Sequence, residues 1–132
     1  MHIPRVAVCD DHCAPFDFIA DMYFERETAA LAMASRGGSK TMSSAVIHLL
    51  NSLFKPGCES LTVGAIEAQS KRAYDNLKKL LVVHGKVNLP SEHPKVVRTI
   101  ESETSFEGGS KVEIVPGTMA AVNGPHNQKV HV

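Results

Sequence analysis

One stretch constrains the fold of this chain more than any other: Ala34-Ser35-Arg36-Gly37-Gly38-Ser39-Lys40-Thr41. It follows the apolar run Ala29–Met33 and precedes a segment with helical periodicity. A strand, a turn of small residues, a Lys-Thr pair and a helix, in that order, are typical of a phosphate-binding loop. Small residues let backbone N–H groups curl around phosphate oxygens, and the helix start adds free N–H groups and a positive dipole end.

The loop departs from the strict pattern G-x-x-x-x-G-K-[ST] at two positions. Ala34 stands where the first glycine belongs, and Ser39 stands where the second belongs. Gly/Ser clusters also form ordinary surface turns. A plain connection capped by Ser39 or Thr41 is therefore the alternative interpretation.

If the loop binds a nucleotide, its side chains have distinct roles. Lys40 reaches the β- and γ-phosphates, and the hydroxyl of Thr41 holds Mg²⁺. Gly37, Gly38 and Ser39 supply backbone N–H donors. The expected ligand is then ATP with Mg²⁺.

Length and charge limit the class of protein. A chain of 132 residues is one domain at most and is long enough for a core. Lys plus Arg and Asp plus Glu number 14 each, so no overall basic field indicates a nucleic-acid binder. The apolar runs are too short for a bilayer and no signal-peptide pattern begins the chain, which favours a cytoplasmic protein without a membrane partner.

The cysteine pattern does not predict a metal site. Three cysteines are an odd count, which favours reduced thiols in a chain without a secretory signature. Cys9, His12 and Cys13 form a C-x-x-H-C cluster with His2 nearby. A structural zinc site needs a second ligand pair at a suitable spacing, and the sequence offers none.

Periodicity and turn residues predict the elements along the chain. Helices are expected where apolar residues recur every three or four positions, and strands where short apolar runs lie between turn residues. The predicted helices are Phe16–Phe24, Lys40–Phe54, Glu67–Leu81 and a short piece at Met119–Val122. The predicted strands are Ala29–Met33, Ser60–Ile66, Val96–Phe106, Lys111–Val115 and one that begins at Lys129–Val132.

Alternating strands and helices predict an α/β fold with a parallel sheet and right-handed βαβ connections. The sequence Glu107-Gly108-Gly109-Ser110 predicts a hairpin between two antiparallel strands. The Pro-, Gly- and His-rich residues 84–95 are expected to be a loop.

The whole chain resembles the ATPase domain of the large terminase subunit of tailed bacteriophages, the motor that packs DNA into capsids. The resemblance extends over essentially all 132 residues. In this family the loop glycines are often replaced, and an arginine commonly lies inside the loop. The stretches that carry the resemblance are Cys13–Phe16, Ser35–Thr41, Val63–Ser70, Ile114–Thr118 and Asn123-Gly124.

The resemblance implies a P-loop NTPase three-layer sandwich with a mainly parallel sheet. It implies that residues 1–132 are the N-terminal part of the ATPase domain, with the phosphate loop at 34–41. Lys129–Val132 then begins the Walker B strand, and the chain stops before the Walker B acids, the coupling motif and the nuclease domain. The full-length protein is expected to hydrolyse ATP, whereas this piece alone is expected to be inactive.

The resemblance also implies roles for side chains and partners. Arg36 and Lys40 are expected to be the catalytic residues present, with Arg36 as a sensor of the γ-phosphate. Ser35 and Phe16 join the nucleotide-binding set, Phe16 near the adenine base, although a core aromatic explains Phe16 equally well. The implied partners are double-stranded DNA, the portal protein and the small terminase subunit, in a homo-oligomeric ring on the portal within the bacterial cytoplasm.

Two other interpretations remain open. The chain is also compatible with part of a helicase-like or other P-loop ATPase, which shares the chemistry of the loop. A different class is a non-hydrolysing interaction module in which Gly37-Gly38 is only a turn.

Overall fold

The computed structural model describes residues 3–64, 67–83, 86–87, 96–117 and 129–131. Three helices and seven strands lie in these ranges. The helices are α1 (Pro15–Tyr23), α2 (Lys40–Phe54) and α3 (Glu67–Leu81). The strands are β1 (Glu59–Gly64), β2 (Val82–Val83), β3 (Lys86–Val87), β4 (Val96–Thr99), β5 (Glu103–Phe106), β6 (Lys111–Pro116) and β7 (Lys129–His131).

Local sequence explains where the helices begin and end, although α1 covers Pro15–Tyr23 rather than the predicted Phe16–Phe24. Pro15 occupies the first turn of α1, where its fixed φ favours the helix and its missing N–H costs nothing. Helix α2 ends at Phe54 because the next residue precedes Pro56, and a residue before proline is pushed out of the helical region. Lys55 accordingly has φ −119° and ψ 92°. The predicted bounds of α2 and α3 are confirmed.

The main sheet is mixed and has the strand order β4-β5-β6-β1-β7. Strand β1 pairs in parallel with β6 on one side and with β7 on the other. The β4–β5 and β5–β6 pairings are antiparallel, so the prediction of a mainly parallel sheet is only partly right. The predicted hairpin is confirmed as β5 and β6, with Gly109 at φ +81° in its turn.

Both described helices that pack on the sheet lie on the same face. The register places Thr62 beside Ile114 and Val112 beside Thr104, so these four side chains share a face. Helix α2 reaches that face through a hydrogen bond between His48 and Thr62. Helix α3 reaches it through the core cluster Ala45, Tyr74, Leu77, Leu81, Phe106, Val112 and Ile114.

Helix α1 packs on α2 rather than on the sheet. Ile19 of α1 forms a second core cluster with Val46 and Ile47 of α2. Among the described residues, α1 therefore contacts the sheet side of the molecule through α2, and α2 and α3 contact the sheet itself. The α/β class is confirmed, and the three-layer sandwich stays a prediction.

The strand predicted at Ala29–Met33 is wrong. These residues are in irregular structure, and Leu31 and Met33 are 85% and 86% exposed. A strand is stable only when neighbouring strands satisfy its N–H and C=O groups. Alanine, which makes up most of this run, is also depleted in strands.

Two further predictions differ from the structure or lie outside it. The single strand predicted at Val96–Phe106 is instead two antiparallel strands, β4 and β5, because the chain reverses at residues 100–102. The helix predicted at Met119–Val122 lies outside the described residues. The strand predicted at Lys129–Val132 is confirmed over the residues of β7, parallel to β1.

Candidate phosphate-binding site

The loop at residues 34–41 forms a tight turn immediately before α2. The backbone N–H of Gly38 donates to the carbonyl oxygen of Ser35 at 3.0 Å and closes the turn. Gly37 has φ +83°, a conformation that a glycine adopts without a steric cost. Arg36 lies beside it in the turn and is exposed.

Gly38 is required for a different reason. A Cβ at this position would lie 2.8 Å from the Cβ of Ala34 and 3.0 Å from the carbonyl oxygen of Ser35. These distances are shorter than ordinary van der Waals contacts, and both neighbours are held close to the backbone. The two sides of the turn lie so close together that position 38 has no room for a side chain.

Ser39 connects the turn to α2 in a left-handed conformation. Its φ is 60° and its ψ is 14°, and its side chain does not cap the helix. The first helical hydrogen bond runs from the N–H of Ser43 to the carbonyl oxygen of Ser39 at 2.8 Å. Alternating right- and left-handed residues before a helix turn successive N–H groups toward one concavity, which is a common anion site.

Lys40 folds back over the turn. Its Nζ donates to the carbonyl oxygen of Ala34 and, at 3.2 Å, to that of Ser35. The ammonium therefore lies at the start of the loop although its backbone belongs to the first turn of α2. The residue is exposed, so its charge lies beside the loop backbone and remains accessible from solvent.

The charge of the surrounding chain favours an anion. No Asp or Glu occurs in the sequence between Glu27 and Glu59, whereas Arg36 and Lys40 add two positive charges to the loop. The first turn of α2 contains no acidic residue. Thr41, in that turn, is exposed, so its hydroxyl is accessible to a metal ion. This long interval without carboxylates is a signal in the sequence that supports the loop motif.

Phe16 lies in a different environment. It lines an apolar groove between α1 and α2, with a volume of about 420 Å³, together with Leu50 and Phe54 of α2. Leu50 and Phe54 follow Lys40 by ten and fourteen residues, which corresponds to about 15 and 21 Å along the helix axis. The structure thus brings Lys40 to the loop carbonyls and places Phe16 toward the other end of α2, as expected of a core or interface aromatic.

Sequence reasoning missed a buried polar contact behind the site. His48 and Thr62 are 1% and 7% exposed, and the Nε2 of His48 lies 2.7 Å from the Oγ1 of Thr62. This contact joins the helix that begins with Lys40 to the central strand β1. A histidine one turn from Asn51 and Ser52 gives a polar stripe on α2, but periodicity alone does not distinguish a buried polar stripe from a solvated one.

Metal ligands and membrane spans are the remaining features of the described residues that bear on function. In those ranges no group of three or more His, Cys, Asp or Glu side chains is arranged to hold a metal ion. His2, next to the cysteine cluster in the sequence, lies outside them. Within the same part of the chain, the helices are too short or too polar to cross a bilayer.

No protein-family model matches this chain, and no curated protein is significantly similar to it.

Proposed function

We propose that residues 34–41 bind the phosphate groups of Mg²⁺-ATP. The observation that carries this proposal is the position of Lys40: its Nζ lies across the loop, against the carbonyl oxygens of Ala34 and Ser35. A cation held at that point, a helix start that its N-cap side chain does not cap, and a loop free of carboxylates together favour a polyanion.

The side chains have separate roles in this proposal. Lys40 leaves the loop carbonyls to contact the β- and γ-phosphates, and the exposed hydroxyl of Thr41 coordinates Mg²⁺. Arg36, which is exposed at the tip of the turn, contacts the γ-phosphate. Ser35, Gly37, Gly38 and Ser39 supply the backbone around the phosphates.

The resemblance described above extends this proposal to the whole protein. We propose that the chain is the ATP-binding part of a large terminase subunit, which hydrolyses ATP to translocate DNA. Double-stranded DNA, the portal protein and the small terminase subunit are then its partners in the bacterial cytoplasm, in a homo-oligomeric ring. A helicase-like ATPase uses the same loop chemistry and is the closest alternative.

Calorimetric titration of the chain with Mg²⁺-ATP tests the loop assignment. Lys40→Ala removes a charge-assisted phosphate contact worth about 1.5–3 kcal/mol, so we expect ATP to bind at least about tenfold more weakly. Lys79→Ala is the matched control, because Lys79 is an exposed lysine in the last turn of α3. Arg36→Ala is expected to weaken ATP more than ADP.

The second candidate, an interaction module with a plain turn, is favoured by one observation. The segment Ala29–Met33, where a phosphate loop needs its strand, is exposed and irregular. If this candidate is correct, the titration with Mg²⁺-ATP shows no saturable heat of binding, or Lys40→Ala and Lys79→Ala weaken ATP binding equally. Either result would refute the nucleotide assignment.

A further inference from the structure

The three cysteines occupy three different environments. Cys9 and Cys13 are exposed, whereas Cys58 is buried and only 2% exposed. Cys9 and Cys13 are also separated by only three residues, so they share the same acidic neighbours, Asp10 and Asp11. The clearest difference between the two exposed thiols is in their immediate hydrogen-bond partners.

Those partners differ in their chemistry. The Sγ of Cys9 lies 2.8 Å from the Nδ1 of His12. The thiol of Cys13 instead donates to the carbonyl oxygen of Ala14 at 3.4 Å. An imidazole nitrogen can accept the thiol proton completely, whereas a backbone carbonyl can only accept a hydrogen bond from it. Within the part of the chain that the structure describes, Cys9 therefore has a base in contact with its sulfur and Cys13 does not.

The backbone holds the Cys9–His12 pair together. The N–H of His12 donates to the carbonyl oxygen of Cys9 at 3.0 Å, which closes a turn around the acidic pair. The turn brings the Nδ1 of His12 to the sulfur. The following residues are fixed by α1, whose first turn is joined to the preceding chain by a bond from the N–H of Phe16 to the carbonyl oxygen of Pro4 at 3.1 Å.

We propose that Cys9 is a nucleophilic thiol, activated by His12, that reacts with small soft electrophiles such as peroxides. The proton of Cys9 moves to Nδ1 of His12, and the thiolate is the reacting species. With hydrogen peroxide, the sulfur attacks one oxygen, the S–O bond forms and the O–O bond breaks. The leaving hydroxide takes the proton from the imidazolium and becomes water, so Cys9 is oxidised to a sulfenic acid while the peroxide is reduced.

Alkylation of the whole chain by iodoacetamide measures the proposed difference. Here the thiolate displaces iodide from carbon, and mass spectrometry of peptides gives the rate at each cysteine separately. We expect Cys9 to react at least about fivefold faster than Cys13, and Cys58 to react slowest because it is buried. Equal rates at Cys9 and Cys13 in the unaltered protein would overturn the proposal without any variant.

Two variants separate base catalysis from simple exposure. His12→Gln keeps a polar side chain of similar length but cannot take a proton, so we expect the Cys9 rate to fall to within about twofold of Cys13. Asp11→Asn is the matched control in the same turn and should leave the Cys9-to-Cys13 ratio high. A ratio unchanged by His12→Gln would show that the imidazole does not activate the thiol. Trapping of a sulfenic acid by dimedone after peroxide treatment should follow the same order, with Cys9 labelled first.

Discussion

At the scale of single residues, Ser39 adopts the left-handed backbone conformation with which the loop enters α2. A non-glycine residue in the left-handed region costs about 1–2 kcal/mol, yet φ is 60° at this position. The strict phosphate-loop pattern has glycine here, so the serine is strained where the pattern places the most permissive residue.

Ser39→Gly is expected to raise the free energy of unfolding by about 0.5–1 kcal/mol, because relief of the strain exceeds the added entropy of the unfolded chain. Urea denaturation measures the change. Lys79→Gly, in exposed helix, is the control and should lower the free energy of unfolding by about 1 kcal/mol. A loss of stability in Ser39→Gly as large as that in the control would mean that Ser39 makes a contact that outweighs its strain.

At the scale of elements, Tyr74 joins α3 to the β4–β5 reversal. It is 1% exposed; its hydroxyl donates to the carbonyl oxygen of Ile100 at 2.9 Å and lies 2.7 Å from the Oγ1 of Thr104. Burial raises the pKa of Tyr74 above its ordinary value of 10.0, and the hydrogen bond with Thr104 opposes that rise. The folded state therefore favours the neutral phenol.

Tyr74→Phe is expected to lower the free energy of unfolding at pH 7 by about 1–3 kcal/mol, because it leaves the buried Thr104 hydroxyl without this partner. Above pH 10 the unfolded tyrosine ionises before the folded one, so the unaltered protein loses stability as pH rises through the raised pKa. Phenylalanine does not titrate. We therefore expect urea denaturation to give a smaller difference in the free energy of unfolding between the two proteins above pH 10 than at pH 7. An equal difference at both pH values would contradict the burial of this hydroxyl.

At the scale of the whole molecule, Lys55 connects parts of the chain that are far apart in sequence. Its Nζ donates to the carbonyl oxygen of Tyr23 at 2.6 Å and to Glu25 at 2.9 Å. Its own carbonyl oxygen accepts from the hydroxyl of Ser110 at 2.9 Å, next to the β5–β6 hairpin. One residue thus links α1, the end of α2 and the sheet.

Lys55→Met is expected to lower the free energy of unfolding by about 1.5–3 kcal/mol, the range for hydrogen bonds to a charged group. Lys78→Met is a close control, because each lysine lies 4.8 Å from a tyrosine ring centroid and each pairs with a carboxylate. Only Lys55 also bonds a distant backbone carbonyl. If thermal denaturation shows equal losses of stability in the two variants, the effect comes from the contact with the tyrosine ring or with the carboxylate instead.

Sequence predicted the features that depend on neighbours along the chain. The bounds of α2 and α3 follow from apolar spacing and from Pro56, and the β5–β6 hairpin follows from Gly108-Gly109. Ala29–Met33 could not be predicted in the same way, because a strand depends on pairing with residues far away in sequence. The apolar composition of the run gave no information about whether such partners adjoin it.

In the candidate site, too, the locally determined features were predictable and those that depend on tertiary packing were not. The turn and the helix start at Lys40 were predictable, since glycine and serine positions determine them locally. The return of the Lys40 ammonium to the loop carbonyls was not, because a flexible four-carbon side chain has many rotamers. The His48–Thr62 contact depends on the packing of α2 against β1, which the sequence pattern does not specify.

The contact between Lys55 and Tyr23 has a geometric consequence for the segment that leads into the loop. It fastens the end of α1 near the end of α2, whereas the loop lies at the start of α2. Residues 25–39 must therefore travel back along α2, a distance of about 22 Å for a 15-residue helix. Fully extended, these residues reach about 50 Å. The extended length of residues 25–39 is thus more than twice the distance that they span. Ala29–Met33 can therefore change conformation and form a strand while both helices stay in place.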